Sequence, residues 1–175
     1  MSRRATLGLA CAAVTALACA PLVISSFTIS LFNYIGIYAL VAIARGIAPG
    51  IDIERRRARP RALALARRFF DEAEAAALAA LPDGARDDAF LALWTAKEAV
   101  LKAHGRGIGY GLQRLHVAVP PRRLQLLRFG NEDPAAWQLQ SLDVAPGLIA
   151  ALAWRGTPRK VRSATVPAGM LADTA

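Results

Sequence analysis

Hydrophobic and polar positions follow two different periods along residues 38–154. Residues 38–44 are mostly apolar, and residues 50–54 alternate apolar with acidic side chains, so both segments are predicted to be strands joined by a loop that contains Gly and Pro. Alternation places Asp52 and Glu54 on the same face of the second strand. We predict that this face is solvated and that the isoleucines beside them point into a core.

Helical patterns follow in three segments. Residues 61–70 have an apolar and a basic side, and the preceding Pro60 suits the start of a helix. Residues 72–81 are rich in alanine, the strongest helix former, and a turn is predicted at residues 82–84. Residues 87–104 begin with acidic side chains and are followed by Gly105, which is placed as a C-cap. We therefore predict three helices, the last being the longest.

Four short strands are predicted after the long helix. They cover residues 115–119, 124–128, 137–142 and 148–154, and Pro, Gly, Asn and Asp turns separate them. The pattern predicts an α+β domain over residues 38–156, with antiparallel strands packed on the long helix. The tail, residues 157–175, lacks periodicity and is predicted to be disordered.

The N-terminal region differs from the rest of the chain. After Arg3 and Arg4, residues 5–44 contain no charged side chain. That length suits one transmembrane helix of about 20 apolar residues, so an apolar N-terminal helix over residues 1–37 and a membrane association through residues 5–44 are predicted. The two arginines, with Ala18-Cys19-Ala20 behind them, would equally suit a secretory signal and its cleavage site.

Composition narrows the classes of partner. The net charge is +9, and residues 45–68 contain eight arginines but only two acidic residues, Asp52 and Glu54. Such a surface suits a phosphate-rich ligand or an acidic protein. Nucleic acid is not predicted, because no recognition helix, zinc finger or aromatic RNA-binding motif accompanies the charge. Cys11 and Cys19 both lie in the apolar region, which gives no support to a disulfide scaffold or a zinc site.

Candidate chemistry is concentrated on the long helix and the acidic strand. Trp94, Glu98 and Lys102 follow one another at i, i+4 and i+8, which places them on one helical face. Carboxylates without cysteine or histidine suit a hard cation such as Mg²⁺, and lysines suit the phosphates that accompany it. The predicted site contains Asp52, Glu54, Trp94, Lys97, Glu98 and Lys102.

Each of these residues also has a simpler interpretation. A single D-x-E is most often a pair of solvated carboxylates on a strand. Glu98 and Lys102 alone would be an i, i+4 pair worth about 0.2–0.5 kcal/mol. Lysines on a helix commonly serve solubility, and Trp94 suits packing of the helix against the sheet better than direct contact with a ligand.

Three blocks of the chain together resemble the 4'-phosphopantetheinyl transferases of the broad-specificity, surfactin-synthetase-activating type. Their pattern is G-[VI]-D-[IV]-E, then R-F-F-x-x-x-E, then W-[TS]-x-K-E-A-x-x-K-x-x-G-x-G. The matching residues are Gly50-Ile51-Asp52-Ile53-Glu54, Arg68-Phe69-Phe70 with Glu74, and Trp94 through Gly107. Blocks in the same order and spacing are a far stronger signal than any one alone.

The resemblance implies a half-domain of that family's fold and its activity, transfer of 4'-phosphopantetheine from coenzyme A to a carrier-protein serine in the cytoplasm. Fatty-acid, polyketide and nonribosomal-peptide synthesis use such carriers. It also implies Mg²⁺ held by Asp52, Glu54 and Glu98, coenzyme contacts from Lys97, Lys102 and Trp94, and either Glu98 or Glu74 as the base. The acidic helix of a carrier protein would meet the basic surface around residues 55–68.

The resemblance is incomplete towards the N-terminus. Where the family carries F-N-x-S-H-S, this chain has Phe32-Asn33 followed by Tyr34-Ile35-Gly36-Ile37, and residues 25–38 resemble the first span of a branched-chain amino-acid transporter permease. We therefore expect a leader joined to the second half of a transferase, whose missing first half would supply further phosphate contacts. A homo-oligomer would be one way to rebuild the cleft. The alternative is a non-catalytic fusion fragment anchored in the inner membrane.

Overall fold

The computed structural model of the chain describes residues 27–35 and 38–164. Within these residues the α-helices are α1 (Ala62–Phe69), α2 (Glu72–Ala79) and α3 (Asp83–His104). The described strands are β1 (Phe27–Ile35), β2 (Tyr38–Arg45), β3 (Gly50–Arg55), β4 (Leu115–Val117), β5 (Leu126–Phe129), β6 (Trp137–Leu142) and β7 (Leu148–Arg155). The α+β prediction is confirmed.

The antiparallel sheet with strand order β3-β7-β6 is the platform on which α3 lies. Asp52 pairs with Ala151 in its register, and Leu139 pairs with Ala153. Two further antiparallel pairs, β1-β2 and β4-β5, complete the described strands. Small side chains at Ala151 and Ala153 leave room for α3 to approach β7 closely.

Gly50 allows α3 to pack directly on β3. A Cβ at this position would lie 2.0 Å from the carbonyl oxygen of Ala99 and 2.3 Å from the backbone nitrogen of Ala103. Both distances are far inside van der Waals contact, so only glycine fits here. The same close approach brings the next residues of β3 beside the C-terminal half of α3.

The acidic face of β3, which was predicted to be solvated, is covered in the structure. Ile51 packs against Leu152 and Trp154 on the face opposite α3. The alternation of the strand is as predicted, but the acidic face is not solvated, because it is the face that α3 covers. Asp52 is only 1% exposed.

Local signals explain the helix ends. A capping box at the start of α2 joins the Asp71 carboxylate to the backbone N–H of Ala73 at 3.0 Å, and the Glu74 carboxylate to the backbone N–H of Asp71 at 3.0 Å. Gly105 ends α3 with a φ of 84°, as predicted for a C-cap. Helix α3 starts at Asp83, four residues before the prediction, because residues 83–84 of the predicted turn belong to its first helical turn.

The strand predictions differ in accuracy. Strand β6 is confirmed residue for residue, and β7 extends the prediction by one residue. The predicted apolar N-terminal helix is wrong over Phe27–Ile35, because these residues form β1 and pair with β2. Other parts of the leader and tail predictions fall on residues 1–26, 36–37 and 165–175, which lie outside the described residues.

The described residues contain no helix that is both long and apolar enough to cross a membrane. At the other end of the described chain, Val161 packs against the cluster around Ile51 and Trp154. The Arg159 guanidinium donates a hydrogen bond to the carbonyl oxygen of Arg45 at 3.2 Å. The first residues after β7 therefore lie along the sheet face that is opposite α3.

Candidate functional site

Asp52 and Lys102 meet where β3 packs on α3. The Lys102 ammonium donates a hydrogen bond to Oδ1 of Asp52 at 2.6 Å and lies 3.7 Å from Oε2 of Glu98. Glu98 and Lys102 lie on adjacent turns of one face of α3, as their spacing predicted. The Lys102 and Glu98 side chains are 11% and 13% exposed, so they border solvent while Asp52 is enclosed.

The electrostatics of this group are those of carboxylates that share one site. Burial raises the pKa of Asp52 to about 7, Lys102 opposes the rise, and the charges of Glu98 and Glu54 add to it. Burial also raises the pKa of Glu98, again opposed by Lys102 and increased by Glu54. The charges of Glu54 and Glu98 therefore both act on Asp52, although these carboxylates come from two segments of the chain.

Glu54 completes the acidic group from the end of β3. Its Oε2 accepts a hydrogen bond from the Arg59 guanidinium at 3.1 Å. The backbone N–H of Arg59 donates to the Asp87 carboxylate at 2.8 Å, which ties the basic segment to the first turns of α3. Arg59 was not singled out from the sequence, where it is one arginine among many, and no spacing distinguishes it.

The donor set of this group fits Mg²⁺ in its chemistry. Carboxylate oxygens are the ligands that this hard cation prefers, and Asp52, Glu54 and Glu98 supply them. In the described part of the chain, no group of three or more His, Cys, Asp or Glu side chains is arranged closely enough to hold a metal ion. The carboxylates are paired with basic side chains instead: Lys102 lies 2.6 Å from Asp52 and 3.7 Å from Glu98, and Arg59 lies 3.1 Å from Glu54.

Trp94 is a packing residue, but its ring packs against the end of α1, where packing against the sheet was predicted, and it also contacts the acidic group. The centroid of its ring lies 6.5 Å from the Phe69 ring centroid, in an edge-on arrangement, and 5.9 Å from the Phe90 ring centroid. A hydrogen bond with the Trp94 side chain lowers the pKa of Glu98, against the larger effect of burial. Trp94 therefore fixes the helix against α1 and helps to hold the Glu98 carboxylate in place.

Lys97 and Glu74 lie apart from the acidic group, in the core. Both side chains are 0% exposed, and the Lys97 ammonium donates to Oε2 of Glu74 at 2.6 Å. It also donates to the carbonyl oxygens of Leu112 at 3.0 Å and Leu115 at 2.6 Å. Oε1 of Glu74 accepts from the backbone N–H of Val117 at 2.7 Å. In this arrangement both side chains are enclosed and paired with groups of the domain itself.

Exposed arginines flank the site on the segment between β3 and α2. Arg56 forms an ion pair with Asp88 on α3. Arg68 lies over the ring of Phe69, with its guanidinium carbon 5.1 Å from the ring centroid. The remaining exposed arginines of this basic surface are Arg55, Arg57, Arg61 and Arg67.

Comparisons with known proteins identify the family to which the described domain is similar. Residues 48–153 match the family described as the 4'-phosphopantetheinyl transferase superfamily. The chain is 36% identical over 107 residues to the 4'-phosphopantetheinyl transferase HetI of a Nostoc species, covering 61% of this chain and 43% of that protein. It is 38% identical over 97 residues to the 4'-phosphopantetheinyl transferase psf-1 of Bacillus pumilus, covering 55% and 41%.

Among solved structures, the holo-[acyl-carrier-protein] synthase of Thermotoga maritima is similar over 64% of each chain, with a TM-score of 0.49 and 19% identity. The chain spans about two-fifths of the length of the HetI and psf-1 relatives. The region matched by the family includes the acidic strand β3, the described helices α1 to α3, strand β6 and most of β7. The chain therefore belongs to the 4'-phosphopantetheinyl transferase superfamily.

Proposed function

We propose that this chain carries the metal- and phosphate-binding part of an enzyme that transfers 4'-phosphopantetheine from coenzyme A to a serine of a carrier protein. The observation that carries the proposal is the meeting of Asp52, Glu98 and Lys102 within the region matched by the family. These residues come from segments almost fifty positions apart. An acidic pair with a lysine at its edge is suited to a divalent ion and a pyrophosphate.

The reaction joins the serine oxygen to the phosphorus that bears the pantetheine arm and breaks that phosphorus's bond to the oxygen of the departing 3',5'-ADP. Mg²⁺, held by Asp52, Glu54 and Glu98, would supply positive charge to the pyrophosphate. Lys102 borders solvent, and in this proposal it would donate to a phosphate oxygen and stabilise charge on the leaving group.

Glu98 is the better candidate for accepting the serine proton. Its side chain borders solvent, whereas Glu74 is enclosed and paired with Lys97. Burial raises the pKa of Glu98 above its ordinary value, the direction that favours accepting a proton. The sequence left both glutamates open, and the difference in exposure supports Glu98.

The basic surface of Arg55, Arg56, Arg57, Arg61, Arg67 and Arg68 is proposed to receive the carrier protein. These arginines lie on the segment that leads from β3, where Asp52 and Glu54 reside, into α1. An acidic carrier helix docked there would be attracted over a distance of about one Debye length, ~8 Å at physiological salt. The cytoplasm is the proposed location, since coenzyme A and the carriers are found there.

Mass spectrometry of an apo carrier protein tests the transfer. The carrier is incubated with the full chain, coenzyme A and Mg²⁺, and a gain of one phosphopantetheine arm, ~340 Da, is expected. The matched control is Asp52→Asn, which keeps the size of the side chain and removes its charge, and which should give no gain. An unmodified carrier, with a full-length relative active in parallel, would refute transfer by this chain.

The leader predictions require separate tests. Association with the inner membrane through residues 5–44 predicts that the chain stays with membranes during sodium carbonate extraction. Release into the supernatant would contradict it. The permease resemblance predicts a junction near codons 33–38, and uninterrupted genomic reads across these codons would establish that the fusion is present in the gene.

A further inference from the structure

Lys102 occupies the position of a cation among the predicted metal ligands. Its ammonium is 2.6 Å from Oδ1 of Asp52 and 3.7 Å from Oε2 of Glu98, so one positive charge bridges two carboxylates. The arrangement follows from the fold, because Gly50 lets α3 approach β3 and the helix repeat places Lys102 one turn after Glu98. A divalent ion that binds both carboxylates has to take the same space.

A metal ion and this ammonium cannot share the position. Mg²⁺ lies about 2.0–2.1 Å from its oxygen ligands, while the Lys102 nitrogen already lies within hydrogen-bond distance of the same carboxylate. Two cations on one buried oxygen would repel each other at short range in a region of low effective dielectric constant. Metal binding therefore requires the lysine side chain to leave Asp52.

The side chain has a route by which to leave. Lys102 is 11% exposed, whereas Asp52 is 0% exposed at its side chain, so the ammonium lies on the solvent side of the pair. The lysine stem is long and flexible, and its head carries three donors that orient freely. Rotation about the stem moves the charge outwards, towards the place where a ligand's phosphates would approach the metal.

We propose that Lys102 is the resident counter-ion of the metal-free carboxylates, and that a divalent ion displaces it and thereby frees it for a phosphate. The proposal rests on the proposed function for the identity of the ligand, but it concerns metal binding and stability, which are measured without transfer. By thermodynamic linkage, a lysine that competes with the metal weakens metal binding by the same factor as the metal weakens the lysine contact.

Binding of Mn²⁺, measured by electron paramagnetic resonance without coenzyme A, tests the exchange in the full chain. Lys102→Met should bind Mn²⁺ about tenfold or more tightly than the wild type, because a charge-assisted hydrogen bond no longer competes. Lys102→Arg keeps the positive charge and should bind as weakly as the wild type. Lys160→Met is the matched control, since Lys160 is exposed and distant in sequence, and it should leave affinity unchanged.

Thermal unfolding gives a second readout. Without metal, Lys102→Met should melt at a lower temperature than the wild type, because two carboxylates lose their shared cation, and Mn²⁺ should raise its melting temperature more than that of the wild type. If Lys102→Met fails to fold, Lys102→Gln carries the same comparison.

Equal or weaker Mn²⁺ binding by Lys102→Met would overturn the exchange. So would an absence of Mn²⁺ binding in both proteins, which would also remove the metal-site assignment. The transfer assay is scored independently, so a chain that exchanges Lys102 for Mn²⁺ but modifies no carrier would refute the proposed transfer and leave the exchange supported.

Discussion

Removing one partner of the buried Glu74–Lys97 ion pair should strongly destabilise the domain. Both side chains are fully buried, and the ammonium makes three short contacts, to Glu74, Leu112 and Leu115. The pair thereby connects α2, α3 and the segment that leads into β4. Lys97→Met leaves the Glu74 carboxylate buried with only backbone donors, and Glu74→Met leaves a buried ammonium without its counter-charge.

The expected size follows from these contacts. Breaking a buried ion pair from one side costs about 3–5 kcal/mol, a large part of the ~5–15 kcal/mol that stabilises a typical domain. Burial lowers the pKa of Lys97 and Glu74 opposes that effect, so Glu74→Met should favour a neutral lysine and recover part of the cost. Replacing both residues by methionine removes both buried charges. We therefore expect the double variant to lose at least ~2 kcal/mol less free energy of unfolding than the two single variants lose in sum.

Urea unfolding of the four proteins, followed by tryptophan fluorescence and far-UV circular dichroism, measures the double-mutant cycle. Glu72→Gln is the matched control, because Glu72 is the exposed neighbour in the first turn of α2 and should change stability by less than ~0.5 kcal/mol. Single variants that lose less than ~1 kcal/mol, or losses that simply add, would refute the reasoning. The double variant should also retain the proposed transfer activity if the wild type shows it, whereas a catalytic role for Glu74 predicts a loss.

Three further predictions concern packing, pH and docking. Gly50→Ala should cost at least ~1–3 kcal/mol by urea unfolding, because its Cβ would lie 2.0 Å from a backbone oxygen of α3, and Gly84→Ala, with nothing within 4 Å, should be neutral or stabilising. Although burial raises the pKa of Asp71, a backbone N–H and two basic side chains outweigh it and lower this pKa below the ordinary 3.8. The stabilisation from the Asp71 carboxylate is therefore present above pH 3.8 and is lost as the pH falls through the pKa of the folded state. Asp71→Asn should flatten this acid-side loss in melting temperature, and an unchanged pH profile would contradict the reasoning. Arg57→Glu with Arg67→Glu should raise KM for the carrier with little effect on kcat, most at low salt, and a KM unchanged at low salt would count against the basic surface as the docking site.

Much of the local structure could be predicted from the sequence. The apolar alternation of Trp137–Leu142 corresponds to β6 without a change at either end, and Gly105 ends α3 as its position indicated. Both features depend on neighbours close in the chain: side chains alternate along a strand, and glycine adopts a positive φ without strain. The spacing of Glu98 and Lys102 likewise determined that they would share a helical face.

Tertiary structure decided what each motif residue contacts. Lys97 and Lys102 look alike in the sequence, yet one is enclosed by Glu74 and two carbonyl oxygens while the other borders solvent beside Asp52. The difference depends on which side of α3 meets the sheet and which meets the segment around Leu112, and no local pattern contains that information. The same is true of Asp52, whose strand predicted a solvated face that α3 in fact covers. Periodicity determines which residues share a face, but only packing between distant segments determines what that face contacts and, through burial, its charge.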